Sequence, residues 1–174
     1  VSNPFPFNPL KTGSDVFRIV SCSGLIRVKR VHLIIQALEK LQTQKRIIWN
    51  HFGDGNLKDE LLRMAEERLG RKENTEFRFM GQVPNPELME FYHSHDIGLF
   101  INTSSSEGIP VSIMEAQSFG IPVIAADTGG AREIIRENTG TILPPDFSIA
   151  DLTSCIEYYV EMEPDETAEI RRNI

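Results

Sequence analysis

Apolar runs of strand length alternate with stretches of helical spacing along most of the chain. That alternation restricts the fold more than any other feature. "VFRIVSCS" (Val16 to Ser23), "RIIWNHF" (Arg46 to Phe52), "EFRFMG", "DIGLFIN" (Asp96 to Asn102), "IPVIAAD" and "GTILPP" read as strands. "VHLIIQALEKLQ", "LKDELLRMAEERLG", "NPELMEFYHSH", the run from Val111 to Phe119, "GAREIIREN" and "SIADLTSCIEYYVEM" read as helices. Gly70 is placed as a C-terminal stop of the second helix. Asn85 is placed to cap the third, with Pro86 at its first position. This order predicts an α/β fold, a doubly wound, Rossmann-like parallel sheet. The strands are nearly continuous in apolar residues, as required when helices cover both faces. Ligands of such sheets bind beyond the carboxyl ends of the strands. The loops after Ser23, Phe52, Met80, Asn102 and Asp127 are therefore the candidate ligand edge, and four of them carry glycine.

Composition narrows the partners. The net charge of −7 leaves no electrostatic footprint for nucleic acid. An anionic small ligand remains compatible, because local cations can hold one in an acidic protein. Cys22 and Cys155 fall in apolar patterns and read as buried free thiols, which suits a reducing, cytoplasmic setting. No run approaches the ~20 apolar residues of a membrane span. Residues 1–14, rich in proline, read as a linker from a preceding domain. Residues 15–174 read as one domain cut within its last helix. His32, His51, His93 and His95 lie on different elements, so no metal is expected. Trp49 reads as core, and the helix from Leu57 to Leu69 as one with a solvated, charge-alternating face.

The most informative stretch follows the fourth strand. In "EGIPVSIME", Glu107 and Glu115 stand eight positions apart around Gly108, Ile109, Pro110 and Val111. Proline suits the first turn of a helix. Backbone N–H groups at that helix start, together with its dipole, form an anion site suited to phosphate. A carboxylate repels phosphate but accepts hydrogen bonds from a vicinal diol, as sugars and riboses provide. Two acids flanking a helix start could thus bracket a diphosphate between a sugar and a ribose. From the residues alone, a plainer account fits equally well: Glu107 as a charge complementing the dipole, and Glu115 on a solvated face. Lys29, just before a helix, likewise reads as a solvated charge.

"EGIPVSIME" followed by "AQSFGIPVIAADTGGAREII" closely resembles the carboxyl-terminal half of retaining GT-B glycosyltransferases. "SGLIRVKRVHLIIQAL", "HFGDGNLKDEL" and "FRFMGQVPNPELMEFYHSHDIGLFINTS" extend the likeness over about Phe17 to Leu143. The resemblance implies one half of a GT-B fold and a hexosyltransferase-type enzyme that uses a UDP- or GDP-sugar without a metal or other cofactor. On matching positions it implies catalytic roles for Glu107, holding donor-sugar hydroxyls, and Lys29, neutralising phosphate. Gly108, Ile109, Pro110 and Val111 would hold the diphosphate, Glu115 the ribose, and Gly81, Gln82 and Val83 the base. It also implies an acceptor-binding amino-terminal domain in cis, which would carry any peripheral contact with the inner face of the membrane. The fragment alone is then expected to be inactive, and the pathway to be bacterial surface-polysaccharide synthesis. One departure stands out. Where the family has arginine, five residues before the lysine, this chain has Gly24. Lys29 then acts alone, or Arg27 or Arg30 compensates. A non-catalytic nucleotide-sugar-binding module and a sugar-nucleotide epimerase of the same fold are the alternatives. A Rossmann oxidoreductase would need G-x-G-x-x-G after the first strand, and "SCSGLIRVKR" does not supply it.

Overall fold

The computed structural model describes residues 15–174, so the expected linker over 1–14 lies outside the described residues. In chain order the elements are β1 (Val16–Cys22), a 3-10 turn (Arg27–Lys29), α1 (Val31–Lys40), β2 (Arg46–Phe52), α2 (Lys58–Leu69), β3 (Thr75–Gly81) and α3 (Asn85–Ser94). They continue with β4 (Leu99–Asn102), α4 (Val111–Ser118), β5 (Val123–Ala126), α5 (Ala131–Ile134), β6 (Gly140–Leu143), α6 (Ile149–Glu161) and α7 (Pro164–Asn173). The strands form one six-stranded sheet in the order β3-β2-β1-β4-β5-β6. Every pairing is parallel. The chain winds outward from β1 to β3, returns to the centre, and winds the other way from β4 to β6. The order reverses between β1 and β4, and the ends of those two strands are where an open α/β sheet places its ligand.

Helices cover both faces, which explains the apolar continuity of the strands. On one face α1, α2 and α6 bury Ile34, Ile35, Leu38, Leu61, Leu152, Ile156 and Val160 against Ile19, Trp49 and Ile101. On the other, α3 and α4 bury Leu88, Tyr92, Ile113 and Ala116 against Val20, Phe100 and Val123. All four residues of β4 and of β5 are buried. Trp49 lies fully inside, as expected. Helix α2 turns Leu61, Ala65 and Leu69 inward and its charges outward.

Several local expectations need correction. Gly70 does end α2, but in a right-handed conformation (φ −61°), so it is not the left-handed stop that glycine usually supplies. The cap of α3 is Pro84, not Asn85; Asn85 is the first helical residue and Pro86 the second. Pro110 likewise precedes α4 as its cap. Helix α5 ends at Ile134 because Thr139 closes a turn on Arg136: its hydroxyl accepts from the Arg136 N–H (2.9 Å) and its own N–H donates to the Arg136 carbonyl (2.9 Å). Both cysteines are free but only partly buried.

A buried polar chain runs under the ligand edge. Trp49 Nε1 donates to Ser21 Oγ (2.9 Å), Ser21 Oγ pairs with His51 Nδ1 (2.8 Å), and His51 Nε2 pairs with the Ser23 carbonyl (3.1 Å). Indole can only donate and a carbonyl can only accept. The direction is therefore fixed: Ser21 donates to Nδ1, and neutral His51 donates from Nε2. Burial lowers the His51 pKa to about 4, with the Ser23 carbonyl opposing. Between pH 6.5 and 4 the unfolded chain binds a proton at this position that the folded chain does not, so stability falls as pH falls. The full difference is about 3 kcal/mol by pH 4. Urea unfolding from pH 7 to 4 should show a steeper loss for the native chain than for His51→Gln. Equal slopes would remove His51 as the cause.

Candidate functional site

The ends of β1 and β4 are tied together by polar side chains. Asn102, the last residue of β4, accepts from the Ser104 N–H (2.9 Å), which turns the chain. Its amide donates to Glu107 Oε1 (3.2 Å). Thr103 Oγ1 donates to the carbonyls of Lys29 (2.9 Å) and Arg30 (3.1 Å). The Ser105 N–H donates to the Val28 carbonyl (2.7 Å). These bonds dock the 3-10 turn against the β4 loop. There Lys29 Nζ meets Glu107 Oε1 at 2.8 Å, with the side chains only 21% and 13% exposed. Burial raises the Glu107 pKa, but the hydrogen bonds from Lys29 and Asn102 outweigh it and hold the carboxyl below its usual value. The expected catalytic residues, 78 positions apart in sequence, thus form one ion pair at the switch point of the sheet.

Arg30 cannot replace the arginine missing at Gly24. It sits at φ +48°, outside the usual range for arginine, and its guanidinium is taken up by carbonyls. Nε donates to Thr103 O (2.7 Å) and Nη1 to Pro145 O (2.9 Å), while the plane lies 5.1 Å over the Phe147 ring. Arg27 is exposed on the 3-10 turn. Lys29 is the one cation that the β1 loop directs at Glu107.

Two glycine pairs let neighbouring loops reach the site. In "GDG", a Cβ at Gly53 would lie 1.9 Å from Ser23 O, and one at Gly55 would lie 2.5 Å from Leu25 O. These close approaches let the Leu25 N–H donate to Asp54 O (2.9 Å) and the Leu57 N–H to Leu25 O (3.0 Å). In "TGG", the Gly130 N–H donates to Gly108 O (2.8 Å) and Thr128 Oγ1 to Ser104 O (3.2 Å). The TGG segment therefore fastens the loop that carries Glu107.

Gly108, Ile109, Pro110 and Val111 lead directly into α4. Ile109 and Val111 are 71% and 58% exposed. The first N–H groups of α4 have no acceptor within the helix, as at any helix start. A cavity of about 320 Å³ opens at the carboxyl ends of β1, β2 and β3. Gln82 and Val83 line it with Cys22, Ser23, Gly24, Gly53 and Leu88. Gly81, at φ +72°, supplies the turn into this wall. Burial, and then the nearby charge of Glu115, push the Cys22 thiol up to about 11. Glu115 Oε1 accepts from Asn85 Nδ2 at 2.6 Å.

The sequence brought out both glutamates, the lysine and the loop from Gly81 to Val83. It missed Asn102, Thr103 and Asn85, which hold those groups in place. Asn102 ends an apolar strand, which is a weak signal for a turn. No spacing rule links Thr103 to Lys29 or Asn85 to Glu115. Among the described residues, no group of three or more His, Cys, Asp or Glu is placed to hold a metal ion.

This doubly wound sheet, with a lysine–carboxylate pair at its switch point and a helix start beside it, is that of the Rossmann-like half of GT-B glycosyltransferases, as comparison with known proteins shows. The family model described as "Glycosyl transferases group 1" matches residues 5–174, and the chain belongs to that family. The O-antigen biosynthesis glycosyltransferase WbnH of Escherichia coli is 31% identical over 140 residues, covering 79% of this chain and 37% of the relative. A crystal structure of Anabaena Alr3699/HepE in complex with UDP and glucose superposes with a TM-score of 0.73 at 28% identity, over 91% of this chain and 42% of that one. The catalytic domain of cholesterol-alpha-glucosyltransferase from Helicobacter pylori shares the fold (TM-score 0.72, 21% identity), over 90% of this chain and 93% of that one. The chain spans well under half the length of WbnH and of Alr3699/HepE. No described helix is long and apolar enough to cross a membrane.

Proposed function

We propose that this chain is the donor-binding half of a retaining, metal-independent glycosyltransferase. It would hold a UDP- or GDP-sugar while an amino-terminal domain in cis binds a glycan or lipid-linked acceptor, in the cytoplasm, for bacterial surface-polysaccharide synthesis. The observation that carries this is the Lys29–Glu107 pair at the switch point, directly before the start of α4. Support comes from the relatives in polysaccharide synthesis and from the UDP and glucose bound in Alr3699/HepE.

The chemistry follows from the geometry. Cleavage of the anomeric C–O bond leaves negative charge on the diphosphate, and groups already aimed at that charge lower the barrier. An ammonium has three donors, so Lys29 can hold Glu107 and a phosphate oxygen together. The N–H groups of Gly108, Ile109 and Val111 would take the remaining phosphate oxygens, Pro110 having none to donate. Glu107, ionised by its partners, would accept from sugar hydroxyls. Glu115 would accept from the ribose, and Gly81, Gln82 and Val83 would border the base.

Calorimetry and thermal shift with UDP, GDP and their sugar conjugates test the reading. Nucleotide binding to the folded chain should raise its melting temperature by mass action. Glu115→Ala should weaken the nucleoside diphosphate about tenfold or more, since a hydrogen bond to a charged acceptor contributes about 1.5–3 kcal/mol. Glu107→Gln should weaken the sugar conjugate more than the bare diphosphate. If neither substitution changes any affinity, the site lies elsewhere. Sugar transfer by this chain alone would remove the need for an acceptor domain. A chain that binds but never transfers, even joined to the rest of its protein, would be the non-catalytic module that the Gly24 departure favours.

A further inference from the structure

We infer that Asn85 is a positioning residue for Glu115: its amide occupies one carboxylate oxygen and presents the other to the ribose hydroxyls of the nucleotide. The inference rests on the donor site proposed above. Its starting point is an asparagine that does not do what its position suggests. Asparagine at a helix start usually accepts from a backbone N–H of the first turn. Asn85 heads α3 without capping it, and its side chain instead crosses to α4, where Nδ2 donates to Glu115 Oε1 at 2.6 Å. Pro86 has no N–H to satisfy, so α3 tolerates the lost cap more easily.

The chemistry of the partner matters. Glu107 is held by a cation, which keeps it ionised and offsets its charge. Glu115 is held by a neutral amide, which fixes the direction of the carboxylate while leaving its full negative charge to accept hydroxyl protons. The span between the two helices is fixed by packing. Tyr92 of α3 meets Phe119, at the end of α4, edge-to-face at 5.7 Å, and Leu88 and Ile113 lie buried in the same core. Asn85 also stands two residues after Val83, which with Gln82 lines the cavity. The group that would meet the base and the group that would meet the ribose are thereby joined through one side chain.

The test measures affinity for UDP and 2′-deoxy-UDP, and for GDP and 2′-deoxy-GDP, by calorimetry on the native chain, Asn85→Ala, Asn85→Asp and Glu115→Ala. The native chain should prefer the ribonucleotide about tenfold, the worth of one hydrogen bond to a charged acceptor. Asn85→Ala should lose most of that preference while keeping its affinity for the deoxynucleotide. Asn85→Asp is the same size but adds a like charge beside Glu115, so it should lose the preference entirely. Glu115→Ala should behave as the aspartate variant does. A fall in affinity for both sugars together, with the preference intact, would mean that Asn85 only supports the helix, and the inference fails. A native preference in Asn85→Ala beside a lost one in Glu115→Ala would also overturn it, with the donor site standing. A preference unchanged in Glu115→Ala would remove the ribose role of Glu115 and this inference with it.

Discussion

Gly129→Ala should destabilise the chain by about 3 kcal/mol or more and abolish nucleotide binding, whereas Gly130→Ala, one position on, should cost about 1 kcal/mol or less. The two glycines differ in both backbone and surroundings. Gly129 lies at φ +55°, where a side chain alone is a strain. A Cβ there would also fall 2.2 Å from the Glu107 carbonyl oxygen and 2.4 Å from that of Gly108. Those atoms are backbone and cannot rotate away, so the loop that carries Glu107 would have to move. Moving it breaks the Lys29–Glu107 contact and tilts the start of α4. Gly130 has φ −79°, and its nearest atom, Gly108 O, would be 3.5 Å away, an ordinary contact. Gly81 supplies a third case: φ is +72°, but nothing lies within 4 Å, so Gly81→Ala carries the backbone cost alone, about 1 kcal/mol. Urea unfolding ranks the three variants, and calorimetry with UDP and GDP reads the site. Equal costs for Gly129→Ala and Gly130→Ala would show that the TGG segment does not hold the Glu107 loop.

The order of elements was legible because the inner strands β2, β4 and β5 are buried on both faces and the helices on one, so their periods differ plainly. Boundaries were less legible where tertiary contacts set them. The fourth strand reads from Asp96, yet residue pairing starts at Leu99, after Gly98, whose own N–H still reaches Arg18 O and whose place against the Phe17 ring leaves no room for a Cβ. The fifth helix reads through Asn138, yet Thr139 halts it. Arg30 reads as a spare cation, and only the fold shows that carbonyls from two distant loops surround it. Asn85 reads as a cap because local propensity favours one, and a contact to a residue thirty positions away prevailed. The candidate site was legible in its charged residues, which the family pattern marks. It was illegible in the amides and hydroxyls that aim them, since those pairings exist only after the sheet has formed.

The departure at Gly24 is the strongest remaining handle on donor affinity. Gly24→Arg should tighten binding of UDP or GDP about tenfold or more. The backbone permits the change: φ at Gly24 is not in the left-handed range, and a Cβ would meet Asp54 O at 3.7 Å and Ile26 Cγ1 at 3.9 Å, both ordinary contacts. The position is partly exposed and lines the cavity opposite Gln82 and Val83. A guanidinium there is planar and can grip a phosphate through two N–H groups, which a lysine cannot do. A charge-assisted hydrogen bond contributes about 1.5–3 kcal/mol, and holding a long side chain in one geometry offsets part of that. The competitor is the Asp54 carboxylate, but Lys58 already occupies its Oδ2 at 2.8 Å and the Gly55 N–H its Oδ1 at 2.8 Å. The gain should shrink as salt is raised, because the new contact is a partly exposed charge pair. Combined with Lys29→Ala, it should restore part of the binding which that change removes, since both cations would serve the same diphosphate. If Gly24→Arg leaves affinity unchanged while Lys29→Ala weakens it, the diphosphate lies on the Lys29 side, beyond the reach of position 24. If neither substitution matters, the ion pair at the switch point is structural and the phosphate site lies elsewhere.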